Sequence, residues 1–182
     1  MVDRIVETSE NMGMRIYADK TEIQFLGAGD KQFQMEVMGQ QLQQTGNFVY
    51  LGGSINTANG SVGDIERRIG MARGVLEAPT QIWSSKELSK ATKLKVYKTL
   101  VLSVLLYNSE TWTLKEEHTR RLEVFEKSCL MKLEGVTRTD RIKNAEIYNR
   151  LHLSRNIVDR IQQRRLRYCG RVSRMGKVDT QR

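Results

Sequence analysis

Proline occurs once in these 182 residues, cysteine and histidine twice each, and aromatic side chains make up 7%. A single proline leaves long helices uninterrupted, because proline is what removes a helix-interior N–H and clashes with the preceding turn. Cys129 and Cys169 have no C-x-x-C near either, and His118 and His152 do not cluster with them. That spacing excludes a metal knuckle and predicts free thiols in a reducing compartment. The apolar run LVLSVLLY at 100–107 is far shorter than the ~20 residues of a membrane span. The N-terminal MVDRIVETSENMG is amphipathic and acidic, unlike a signal or transit peptide. An intracellular protein, nuclear or cytoplasmic, is expected.

Charge is abundant and unevenly placed. Residues 1–140 hold 18 basic and 18 acidic side chains, whereas residues 141–182 hold 12 basic and 3 acidic ones, so the whole net charge of +9 lies in the last stretch. Arginine dominates there, and its planar fork suits phosphate better than a lysine point charge does. A polyanion is the expected partner, nucleic acid before an acidic membrane surface.

Along the chain, Val2, Ile5, Val6 and Met12 are spaced as a helix stopped at Gly13. Met14–Ala18, Thr21–Leu26, Gln32–Val37 and Phe48–Ile55 read as short strands, the last interrupted by Gly52-Gly53. Asn56–Gly60 is a turn cluster, and Ser61 with Asp64 a capping box for a helix with Val62, Ile65, Ile69, Ala72 and Leu76 as one stripe, broken near Pro79. The next helix, Ser89–Glu110, is apolar nearly all round and so is expected to be buried. Lys90, Lys93, Lys95 and Lys98 give it positive charge, with exposed surface as the plain reading. Thr113 and Glu116 open a helix through Leu122, Phe125, Cys129 and Leu133 to Gly135. Helices follow at Ile142–Leu151 and Asn156–Met175, the last with Ile157, Val158, Ile161, Leu166 and Val172 as its apolar side.

Candidate chemistry is sparse. Tyr17-Ala18-Asp19 begins like a polymerase Y-A-D-D box, but Lys20 follows, and two-metal phosphoryl transfer needs several carboxylates together. No phosphate-cradling glycine loop and no nucleophile–base set can be assembled. Arg160, Arg164, Arg167, Arg171 and Arg174 recur at spacings of 4, 3, 4 and 3, with Arg165 beside them. On a helix this is one positive stripe about 20 Å long. Aligned like charges repel, so a neutralising partner is expected, against the plain alternative of a solvated face.

Read in order, these segments resemble the region after the catalytic box in non-LTR (LINE-like) retrotransposon reverse transcriptases. The strongest stretch is TKLKVYKTLVLSVLLYNSETWTL at 92–114. FVYLGGSI at 48–55 is similar to the family's primer-grip strand, and DIERRIGMAR at 64–73 to its first thumb helix. LEVFEKSCL at 122–130, RRLRYCGRVSRM at 164–175 and GMRIYADKTE at 13–22 resemble further landmarks. Tyr17 stands where asparagine is usual, Asn108 where glycine is, Arg171 where histidine is frequent, and Pro79 enters a helix normally continuous.

The resemblance implies an α+β, mostly α fold: a small antiparallel strand region like the end of a polymerase palm, a thumb-like helical bundle, and a basic C-terminal helix. The corresponding segments are 1–60, 61–140 and 141–182. It places Tyr50, Leu51 and Gly52 near a primer end and Lys20 near an incoming nucleotide, with RNA or DNA, a template–primer duplex, as partner. Both the first catalytic-aspartate motif and the aspartate pair are absent from this stretch. The isolated chain is therefore expected not to polymerise and to need no cofactor, Mg²⁺ belonging to the intact polymerase. Two alternatives remain: a stand-alone basic helical nucleic-acid-binding module, and a structural protein self-associating through exposed palm surface.

Overall fold

The structure, a computed structural model, describes residues 2–26, 32–56 and 61–175. The chain divides into two compact units, residues 1–60 and 61–182. The described residues are mostly helical, with small strand pairs near the N-terminus. No helix among the described residues is long and apolar enough to cross a membrane.

In the first unit, helix α1 (Val2–Asn11) ends where glycine predicts. Gly13 takes φ +73°, and the Met14 N–H reaches back to the Ser9 carbonyl at 2.9 Å. The strand expected at Met14–Ala18 does not form. Ala18–Lys20 is instead a 3-10 turn, fixed by the Thr21 hydroxyl donating to the Tyr17 carbonyl at 2.8 Å. The strands are short: β1 (Glu22–Ile23), β2 (Glu36–Val37), β3 (Gln40–Gln41), β4 (Gln43–Gln44), β5 (Asn47–Tyr50) and β6 (Gly53–Asn56). β2–β3 and β5–β6 pair antiparallel, as expected, but β1–β4 is parallel.

The single extended segment read at Phe48–Ile55 is thus a hairpin, reversing at Leu51-Gly52 with φ of +47° and +77°. Two left-handed residues match the twist of the flanking strands. Met38-Gly39 repeats the device at the β2–β3 turn, with φ of +52° and +76°. Among the described residues of this unit only Val37 and Leu42 are fully buried hydrophobics, so its core is thin. Of the predicted turn at Asn56–Gly60, residues 57–60 lie outside the described residues.

The second unit carries the main core. Helix α2 (Val62–Glu77) buries Ile65, Ala72 and Leu76 but leaves Val62 exposed. It stops before Pro79, and α3 (Thr80–Ser84) restarts just after it. The Ser61–Asp64 capping box does not form. The Ser61 hydroxyl accepts the Thr113 N–H at 2.8 Å, and Asp64 turns inward to the Trp112 indole. Ser89 does cap α4 (Lys90–Val96), accepting the Thr92 N–H at 3.1 Å.

The helix runs on through a π-helical turn, Tyr97–Val101, into α5 (Leu102–Leu105). The wider turn holds Tyr97, Val101 and Leu102 on the buried side, making this the buried helix expected. It ends at Leu105 rather than Glu110. Asn108 then takes φ +62°, a left-handed conformation open to glycine and asparagine, which explains asparagine where the resembled motif has glycine. Lys93, read as surface, is buried, with its ammonium donating to the Trp83 carbonyl at 2.7 Å.

Helix α6 (Glu116–Glu134) begins after Lys115 rather than at the Thr113–Glu116 box, with the Lys115 N–H donating to His118 Nδ1 at 3.3 Å. It buries Leu122, Phe125, Cys129 and Leu133 and stops at Gly135, φ +70°. Helices α7 (Asn144–Arg150) and α8 (Ile157–Met175) complete the unit. Both cysteines are free; burial pushes the Cys129 thiol up to about 12, while Cys169 is exposed.

Candidate nucleic-acid interface

Helix α8 is tightly anchored at its start. Asn156 and Asp159 form a reciprocal cap: the Asp159 N–H donates to Asn156 Oδ1 at 2.8 Å, and the Asn156 N–H to Asp159 Oδ2 at 3.2 Å. The Ile157 N–H donates to the buried carboxylate of Glu126 on α6 at 2.8 Å. Such partners satisfy amides that a helix N-terminus otherwise leaves open, and negative charge there complements the helix dipole. Ile157 and Ile161 then pack into the core.

Beyond Ile161 the contacts with the bundle thin out. Leu166 and Val172, expected to be covered, are 74% and 49% exposed. Val172 continues the face of Ile157 and Ile161 past the bundle, whereas Leu166 falls on the opposite face.

The arginine stripe divides accordingly. Arg160 is half-buried, with Nε enclosed, close enough to Glu126, Tyr97 and Tyr148 for its charge to favour their ionised forms. Arg164 lies 4.0 Å from the Glu110 carboxylate, an ion pair too long for a hydrogen bond. Arg165, Arg167, Arg171 and Arg174 are exposed. No acidic side chain occurs from Arg160 to Met175. The outer part of α8 is therefore a solvated positive rod, able to bind anions through paired guanidinium donors.

The other sequence-derived positions lie in the first unit. Tyr50 ends β5, exposed, its ring stacked on Phe48 with centroids 6.5 Å apart. Leu51 and Gly52 form the hairpin turn, so these three residues come together at one tip. Lys20 closes the 3-10 turn, its ammonium 5.8 Å from the Tyr17 ring. Among the described residues, no group of three or more His, Cys, Asp and Glu side chains could hold a metal ion.

Three features escaped the sequence. A cavity of about 620 Å³ lies between α2 and α6, lined by Ile69, Val124 and Phe125 together with Arg73 and Arg120. Arg121 crosses it, pairing with Glu66 on α2 and with Glu117 at 2.5 Å. Asp64 and Glu126 are buried carboxylates, each given protein donors: Trp112 Nε1 and Arg67 for Asp64, Tyr148 and Ile157 for Glu126. A signal existed for Glu126. It shares the apolar stripe of Leu122, Cys129 and Leu133, and a charge on such a stripe must find partners.

Residues 78–107, covering α3 through α5 and the start of the following turn, match a domain of unknown function, DUF6451. No solved structure matches the chain. Over 180 residues, 96% of this chain, it is 24% identical to an uncharacterized transposon-derived protein of Caenorhabditis elegans. The chain spans 64% of that protein's length and is its distant homologue.

Proposed function

We propose that this chain derives from the part of a non-LTR retrotransposon reverse transcriptase that follows the catalytic aspartates. In this reading it holds nucleic acid, a template–primer, through α8 without joining nucleotides itself. The observation that carries the proposal is the outer half of α8, with four exposed arginines and no acid among them. The family motifs in order from residue 13 to 175 and the distant transposon-derived homologue support the ancestry.

The test replaces Arg167, Arg171 and Arg174 together with glutamine. These side chains are exposed, so the fold is expected to persist. Affinity for duplex DNA should fall roughly 100-fold at moderate salt, and the salt dependence should flatten by about 3 in log–log slope. Unchanged affinity and slope would reduce the row to surface decoration.

A second reading, self-association, is favoured by one observation. On the β5–β6 hairpin Phe48, Val49, Tyr50, Leu51 and Ile55 are all exposed. Uncovered strands and apolar patches invite pairing with another copy. Sedimentation mass should then rise with concentration, and Val49→Lys should suppress the rise. A monomer at every concentration sinks this second reading.

A further inference from the structure

We infer that α8 takes an unpaired strand, with phosphates along its arginines and bases laid on the apolar row beside them. This rests on the proposal that α8 binds nucleic acid, and assigns the unpaired part of a template–primer to it.

The last three arginines of the main row are each followed at once by an apolar residue: Arg167-Tyr168, Arg171-Val172 and Arg174-Met175. Successive residues lie about 100° apart around an α-helix, so the two sets form parallel rows on adjoining faces. All six side chains are exposed. The apolar row continues the line of Ile157 and Ile161, which are buried in the bundle, outward past the bundle's edge. One surface thus offers anion-binding forks along one line and apolar area, including an aromatic ring, along the next.

Chemistry selects the occupant. The arginines repeat at four and then three residues, about 6 and 4.5 Å of helix rise. Their long guanidinium forks can follow successive phosphates of either a paired or an unpaired strand, so the apolar row beside them decides. A duplex keeps its base faces hidden and is read at its edges by hydrogen-bonding side chains, which valine and methionine cannot supply. Unpaired bases expose the faces that aromatic and apolar groups bind, whatever the sequence. Leu166, the most exposed apolar residue of the helix, lies on another face and is excluded from the row.

The test measures binding of the full chain to a labelled, unstructured single strand, its matched duplex, and anionic lipid vesicles, all at one salt concentration. The single strand should bind about 10-fold tighter than the duplex. Tyr168→Ala should weaken the single strand roughly 10-fold and the duplex little, Tyr168→Trp should restore it, and Leu166→Ala should be silent. The native Trp83 and Trp112 are buried, so quenching of the exposed indole in Tyr168→Trp would report stacking directly. If duplex is bound as well as single strand, or Tyr168→Ala changes nothing, the inference falls while phosphate binding by α8 stands. Failure to bind either oligonucleotide, or preference for the vesicles, overturns both.

Discussion

Trp112→Ala is expected to destabilise the second unit by about 3–5 kcal/mol, the range for removing a large buried aromatic side chain. Trp112 is 2% exposed, in the segment between α5 and α6. Its indole Nε1–H donates to Asp64 Oδ2 at 2.8 Å, and the other Asp64 oxygen accepts Arg67 at 3.0 Å. Arg68 stands beside this carboxylate, with Nε at 3.9 Å and its guanidinium over the Tyr107 ring at 4.3 Å. Burial, more than neighbouring Arg67, lowers the Arg68 pKa, and Asp64 opposes that shift. The truncation therefore removes core volume and also takes one donor from a buried carboxylate.

Trp112→Phe separates the two contributions. It keeps most of the apolar volume and loses only the N–H, for an expected cost of about 1–3 kcal/mol. Chemical denaturation followed by helical circular dichroism gives the free energies. For a chain of this size the alanine variant should melt roughly 6–20 °C lower. A loss below about 1 kcal/mol for alanine would mean that the indole is not packed as described.

Helical periodicity made much of this fold legible, because it records which residues share a face. Leu122, Phe125, Cys129 and Leu133 are buried together as their spacing predicts, and Gly13, Pro79 and Gly135 mark helix ends through backbone chemistry. The failures have a common cause: local pattern does not say what lies opposite. Val172 continues the apolar side of α8 past the bundle, where it stays exposed, and Leu166 falls on the opposite face. The Ser61–Asp64 box lost to a tertiary partner, since Asp64 satisfies the Trp112 indole instead of a local amide. β3 and β4 were missed because the Gln40–Gln44 segment holds one apolar residue, Leu42, and so shows no alternation. At Phe48–Ile55 the glycine pair suggested an interruption, but the reversal falls one residue earlier, at Leu51-Gly52, where leucine itself adopts the left-handed conformation. The arginine row was visible as spacing alone. That Arg160 and Arg164 turn toward acids of the bundle depends on Glu126 and Glu110, which lie on other elements.

Glu126 gives the second large effect, and its size depends on pH. Its carboxylate is 1% exposed and holds two elements to α6, accepting the Tyr148 hydroxyl from α7 at 2.5 Å and the Ile157 N–H that opens α8. Glu126→Ala leaves both donors without that acceptor and is expected to cost about 2–4 kcal/mol at neutral pH, with α8 released first. Protection of the α8 amides in hydrogen exchange should fall before that of α6. Equal loss in both helices would deny Glu126 its role as the fastening.

Burial pushes the Glu126 carboxyl above the ordinary value of 4.5, aided by the nearby Glu123 charge, although Tyr148, the Ile157 amide and Arg160 all favour ionisation. A raised folded-state pKa means that the native chain holds this proton more tightly than the unfolded chain does. The associated stabilisation is complete below 4.5 and is lost as pH rises through the folded-state value. Glu126→Gln keeps a carbonyl acceptor but has no proton to release, so this loss should vanish. The stability of Glu126→Gln relative to the natural chain should therefore increase from acid toward neutral pH. Parallel stability curves for the two proteins would show instead that the carboxylate is solvated, and the account of how α8 is fastened would fail with it.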